Sequence, residues 1–382
     1  MDDSEPPAEG PPPEALAGFF RVTEITAENG RLQYYGEPLV GGQRLERRLW
    51  PVFRDRGYEV RLTSEPRQDP LTGVETGGSR YVLVATPRST GIDGVPWRNL
   101  LFAALTVLTT LYAGARWYGS VRGFGEFLDA PLDVLAGWPF SLAVLFVLGV
   151  HELGHYALSR YHGVDASLPY FIPLPNVIGT MGAVIRMRGR MPDRKTLFDI
   201  GVAGPLAGLV AACTVTIVGL HLEPVTEPVI PIAFNYPPLI QAIAALTGQQ
   251  LGYGSGTIVN PVVFAGWVGM FVTFLNLIPV GQLDGGHLVR AMVGKRHETV
   301  GALVPAALFG LAAYLYYVRE AAFNAVFLWV LWGVFSLGIA YAGPATPIYD
   351  DALDAKRTAL GLVTFVLGAL CFTPVPFELV VP

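Results

Sequence analysis

Between Glu227 and Asp284 the chain contains no Lys, Arg, Asp or Glu. A water-soluble domain does not leave so long a run uncharged, because too little polar surface would remain to face solvent. The hydrocarbon of a bilayer, by contrast, demands such runs. The whole chain agrees: 15% of its residues are charged, against roughly a quarter in soluble domains. A net charge of −5, with the basic residues scattered between apolar runs, argues against a nucleic-acid partner. Cys213 and Cys371 each lie inside an apolar run, which supports neither a disulfide framework nor cysteine-ligated zinc. The lipid bilayer is the expected surrounding.

Residues 1–15, rich in Pro, Glu and Asp, have neither the basic n-region nor the apolar h-region of a signal peptide and read as a disordered tail. Residues 16–90 read as a small α+β module. Within it 19–26 alternates apolar and polar, Glu28, Asn29 and Gly30 supply a turn, and 32–35 returns as the partner strand. Leu45, Leu49, Val52 and Phe53, opposite a face of arginines, predict a helix over 43–56, and further strands fit 58–63 and 80–85.

From Asn99 the composition changes, and about seven uncharged stretches of spanning length follow, at 99–115, 134–150, 200–220, roughly 261–279, 299–318, 321–341 and 358–375. The expected fold is an all-α polytopic bundle, with a core over 99–293 and C-terminal helices over 299–382. Arg160, Arg186, Arg188, Arg190, Arg194 and Lys195 crowd the loop after the second stretch, whereas 222–256 has Glu223 and Glu227 and no basic residue. The basic loop is therefore expected in the cytoplasm of a cell-membrane protein, and counting back puts the N-terminal module there too.

His151-Glu152-Leu153-Gly154-His155 closes the second stretch. On a helix the two imidazoles stand about 40° apart and about 6 Å along the axis, within reach of one zinc ion, while Glu152 can take a proton from a metal-activated water. Ionisable groups in a span cost about 2.5–3.5 kcal/mol each and need a compensating partner. The bland alternative is a set of polar residues capping the helix near the headgroups. A catalytic zinc needs a third protein ligand and an open position. Asp284 is the candidate: Pro279, Gly281, Gly285 and Gly286 break the helix around it, and by parity it reaches the same membrane face as the histidines. The alternative is a solvated loop carboxylate. Asn276, two helical turns before Asp284, could donate its amide to a substrate carbonyl or oxyanion, or merely pack. His287 could orient a ligand or gate substrate, or be a solvated residue, and His162 reads as a surface residue of the basic loop.

Residues 168–190 form neither a span nor an ordinary loop, because Pro169, Pro173 and Pro175 forbid a helix while 182–188 partly alternates as a strand does. We expect a membrane-dipping β-hairpin that holds substrate in extended form, with Gly179 and Gly182 letting the two backbones approach. A loop anchored on lipid through its arginines is the alternative.

His151 to His155, together with Asn276, Pro279 and the Leu283-Asp284-Gly285 triplet, resemble the paired signatures of the site-2 protease family, intramembrane zinc metalloproteases acting on membrane-protein substrates. Gly204-Pro205-Leu206-Ala207-Gly208 resembles that family's small-residue motif on the middle core helix, read as a close-packing device. The resemblance covers about 134–293, and 168–171 through 194–199 looks most like the archaeal, cyanobacterial and chloroplast branch without a PDZ insertion. It implies a zinc endopeptidase with one Zn2+ per chain, ligands His151, His155 and Asp284, and Glu152 as general base. Two rivals stand beside it. A CAAX-processing protease would take its third ligand from a later glutamate, here Glu298, Glu320 or Glu378, none in a suitable motif. A non-catalytic metal-binding or transport protein could reuse the fold.

Overall fold

The computed structural model describes residues 10–28, 30–68, 75–88, 94–187, 190–226, 232–254 and 256–379. Residues 1–9 of the expected tail, Asn29 of the expected turn and Arg188 of the expected hairpin lie outside them. The chain divides into two compact units, Met1–Gly94 and Val95–Pro382.

In the first unit, strands β1 (Phe20–Glu28), β2 (Arg31–Pro38), β3 (Tyr58–Gln68) and β4 (Glu75–Pro87) form an antiparallel sheet of order β1-β2-β4-β3. Helix α1 (Gly42–Arg54) joins β2 to β3. Leu45, Leu49 and Phe53 recur every four residues and are buried together with Leu83 and Ala85 of β4, while Arg44, Arg47 and Arg48 remain exposed. That stripe is why the segment is helical and why it covers one face of the sheet. Order reaches back further than the expected start at Leu16: Pro13–Leu16 is a helical turn, Leu16 is fully buried, and the Tyr34 hydroxyl donates to the Pro11 carbonyl at 3.1 Å.

The second unit is mostly helical, and among the described residues five helical segments are long and apolar enough to cross a membrane: Trp97–Trp117, Pro131–Tyr161, Arg194–His221, Asp284–Tyr317 and Ala325–Ala342. We label its helices α2 (Trp97–Trp117), α3 (Trp138–Tyr161), α4 (Arg194–His221), α5 (Pro261–Asn276), α6 (Asp284–Val293), α7 (His297–Tyr317), α8 (Phe323–Ala342) and α9 (Ala355–Leu370). Two of the expected spans, 261–279 and 358–375, are represented by α5 and α9, of 16 residues each. A spanning helix needs about 20.

Helix α5 is apolar on all sides because it is enclosed: Val263, Phe264, Trp267, Val268 and Met270 are buried with Val144, Val147 and Leu148 of α3 and Ala212 and Val215 of α4. These three helices form the centre of the unit. The chain breaks after Asn276 and resumes as α6 at Asp284, with Gly281 in the left-handed region at φ +49°. Within residues 168–187, β5 (Tyr170–Pro173) pairs antiparallel with β6 (Thr180–Val184), Tyr170 opposite Val184, and a bend over 176–179 joins them.

Truncating the first unit's core tests the independence of the two cores. Leu49→Ala is expected to cost about 2–5 kcal/mol, read as faster amide exchange across residues 20–87 of the purified protein. Exchange in α3, α4 and α5 should not change.

Candidate metal centre and cleft

One turn of α3 carries His151, Glu152 and His155, all buried. Such a cluster inside apolar helices persists only if each group finds a partner, and each does. Asp284 Oδ2 lies 3.4 Å from His151 Nε2 and 3.3 Å from His155 Nε2, and the two Nε2 atoms are 3.3 Å apart. Asp284 opens α6, where the unpaired N–H groups of a helix start favour a carboxylate.

His155 Nδ1 lies 2.8 Å from the Ile200 carbonyl oxygen, which can only accept, so Nδ1 carries the proton. In the neutral ring Nε2 then presents a lone pair to the centre. Lone pairs facing one another at these separations repel unless a cation sits between them. A tetrahedral ion bound at about 2.0–2.1 Å places its ligand atoms about 3.3 Å apart. All three observed separations have that value, so the donor set fits a metal such as zinc. Among the described residues, His151, His155 and Asp284 are the cluster of this kind. No later glutamate joins it.

The glycines of α4 make the geometry possible. A Cβ on Gly204 would fall onto the His155 ring, and one on Gly208 would meet His151 Nδ1 at 2.8 Å. The pair was read from the sequence as a close-packing device, yet what approaches the missing side chains is imidazole. A signal was present: Gly204 and Gly208 share the four-residue spacing of His151 and His155, as two facing helices require.

The centre opens into a cavity of about 690 Å³. Glu152 lines it beside the donors, and so does Asn276, whose Nδ2 is 3.3 Å from His151 Nε2. One wall consists of residues 183–187 at the end of the hairpin, with the Ile185 backbone against the Glu152 carboxylate. Another consists of residues 342–346, at the C-terminal end of α8 and just beyond it, a segment that sequence reasoning did not single out.

Gly179, Gly182 and His162 take other places than the sequence suggests. Gly179 does not reach the cavity: a Cβ there would meet Thr110 Cα of α2 at 2.5 Å, and its carbonyl accepts from the Thr109 hydroxyl at 2.6 Å. Its freedom at φ +86° seats the hairpin tip on α2. Gly182, at φ +108°, lies within β6 opposite Ile172, and the strand's cavity-lining residues begin one position later. His162 is not a plain surface residue, since its Nε2 lies 3.1 Å from Asp199 Oδ2, a carboxylate that Arg357 also holds. His287 lines the cavity and accepts from the Ala345 amide at 3.3 Å, outside the donor cluster.

A helical unit in which a glutamate stands between two metal-ready histidines, with an aspartate supplied by a broken helix, is the arrangement that the sequence resemblance to site-2 proteases implies. Residues 139–315 match the model of peptidase family M50. It is 29% identical over 376 residues to "Probable zinc metalloprotease EGY2, chloroplastic" of Arabidopsis thaliana, covering 94% of this chain and 63% of that protein. It is 35% identical over 265 residues to "Probable zinc metalloprotease EGY1, chloroplastic" of the same plant, covering 66% of this chain and 44% of that one. The chain therefore spans less than two thirds of either relative. The solved Site-2 Protease from Methanocaldococcus jannaschii aligns with 63% of this chain and 88% of its own at 17% identity and a TM-score of 0.32, too loose for residue-level comparison.

The glycine seats give a direct test. Gly204→Ala should weaken metal binding by about 10- to 100-fold, the range seen when groups supporting a ligand are disturbed. Gly310→Ala, where a Cβ meets nothing within 4 Å, should leave it unchanged. Competition against a chromogenic chelator measures both.

Proposed function

We propose that the protein is an intramembrane zinc endopeptidase that hydrolyses peptide bonds in or near transmembrane segments of membrane-protein substrates. The observation that carries this reading is the Glu152 carboxylate lining the same cavity as three donor atoms at tetrahedral spacing. A transport or purely metal-binding role gives that buried carboxylate no task. Hydrolysis does.

His151, His155 and Asp284 hold one zinc ion per chain in this reading. When bound, zinc lowers the pKa of a coordinated water to about 7 and polarises a carbonyl. Glu152 accepts the proton of the attacking water and passes it to the leaving amine. Asn276 donates its amide to the scissile carbonyl oxygen as charge develops there. A helical peptide bond is shielded by its own hydrogen bonds, so the substrate enters unwound and lies along the edge of residues 183–187, main chain to main chain.

The remaining organisation belongs to the same proposal. The seven apolar stretches cross the membrane, α5 by way of the break before Asp284, and the hairpin dips in from the cytoplasmic face. Residues 16–90 form a cytoplasmic module that recruits or regulates, since they contain no histidine and no ligand-type cluster.

Co-expression with single-span substrates tests the reaction. Glu152→Gln should lower cleavage by at least about 100-fold, the lower range for loss of a general base, while the purified variant keeps its zinc. Appreciable cleavage by the zinc-replete variant would remove Glu152 from the role.

Asp284→Ala should lose most of its zinc on purification, whereas His287→Ala and His162→Ala should not. Metal analysis of the three decides it, and a zinc-replete Asp284→Ala protein would put the third ligand elsewhere.

A further inference from the structure

The cleft has a wall that the reaction above does not use. Residues 342–346 line the cavity together with residues 183–187 of the hairpin. We propose that this segment is the specificity wall of the cleft: an apolar side chain of the substrate, next to the scissile bond, seats against it, and the space it leaves sets which residues are accepted there. The proposal rests on the peptidase reading and adds to it the site's substrate preference.

Three observations support it. First, the segment is short-chained where it meets the cavity. Its residues are Ala342, Gly343, Pro344, Ala345 and Thr346, so nothing larger than a proline ring or a threonine projects from it, and room is left for a side chain that the substrate brings. Met187 and Met191 add flexible apolar lining that adapts to different shapes.

Second, the segment is fixed. Gly343 turns the chain out of α8 at φ +66°. The Ala345 amide donates to His287 Nδ1 at 3.3 Å, and the Ile348 and Tyr349 amides donate to the Met191 and Pro192 carbonyls at 3.0 and 2.9 Å. Asp350 then accepts from the buried Arg290 of α6 at 2.9 Å. A wall tied to α6 and to the residues before α4 does not retreat before an oversized side chain, and rigid walls are what discriminate by size.

Third, two of these ties, those to His287 and Arg290, are made to α6, the helix that Asp284 opens. The specificity wall and the third donor are thus parts of one rigid element. A substrate side chain seated against the wall places its neighbouring peptide bond at a set distance from the centre. His287, in this account, is a positioning residue for the wall.

The test uses full-length protein and a panel of single-span substrates differing only at the residue beside the cut, which is Gly, Ala, Leu or Phe. Ala345→Leu and Ala342→Leu fill the space, so cleavage of the Leu and Phe substrates should fall at least about 10-fold relative to the Gly substrate, a difference of the size that one or two methylenes make in a pocket. His287→Ala frees the wall and should flatten the preference across the panel, raising KM more than it lowers kcat. Equal losses across the panel in both leucine variants, or an unchanged preference, would overturn the proposal. A second measurement does not depend on cleavage. In the Glu152→Gln background, Ala345→Cys should form a disulfide with a cysteine at the variable position and not with one four residues away. Crosslinks at the remote position alone would overturn the specificity wall even if hydrolysis is confirmed. Crosslinks at the expected position with no hydrolysis by the wild type would overturn the peptidase reading and leave the wall standing.

Discussion

Two imidazoles and a carboxylate, held with their donor atoms 3.3–3.4 Å apart among apolar helices, are unstable company without a cation. Each would rather be fully hydrated, and burial among the helices leaves them only slightly exposed. Much of the second unit can be understood as the structure that forces them together. Helix α3 aligns the histidines, the Ile200 carbonyl fixes the ring of one, and the break after α5 delivers Asp284. Binding energy for the metal is stored in this enforced proximity, which a flexible chain could not maintain.

The same constraint explains the small residues around the centre. Helices carrying large side chains at the crossing would hold α3 and α4 apart, and the imidazoles would have nowhere to lie. Gly204 and Gly208 remove that obstacle. At the other contact, Gly285 and Gly286 let the first turn of α6 settle onto the backbone of the break, where Cβ atoms would strike the carbonyls of Leu277 and Gly281. Arg194 links the two arrangements: from the start of α4 its guanidinium donates to the carbonyls of Ala291 and Met292 at 2.6 and 2.8 Å, gripping the end of α6. The helix that seats the histidines is thereby tied to the helix that supplies the aspartate.

How far the sequence made this legible depended on whether a residue's chemistry is carried by its side chain. His151, Glu152, His155 and Asp284 could be singled out because their spacing has one good geometric use on a helix and their charge has little business in a membrane. The α1 stripe of Leu45, Leu49 and Phe53 was equally plain, since period alone defines it. Residues 342–346 gave no signal, because alanine, glycine and proline announce only a turn, and what such a turn faces is decided by distant packing. Gly179 was assigned to the site for the right physical reason, a backbone that must approach another closely, but the neighbour is α2 and not the cavity. The stretch 261–279 reads as one apolar segment because hydropathy does not distinguish a helix from the buried break that follows it, and the helix stops at Asn276.

The most direct test of this account is X-ray absorption at the zinc edge on purified full-length protein. A shell of light ligands, nitrogen and oxygen, should appear at about 2.0–2.1 Å, with the multiple scattering of imidazole rings. A sulfur shell at about 2.3 Å, or a spectrum without imidazole scattering, would place the metal elsewhere and contradict the centre on which the rest depends.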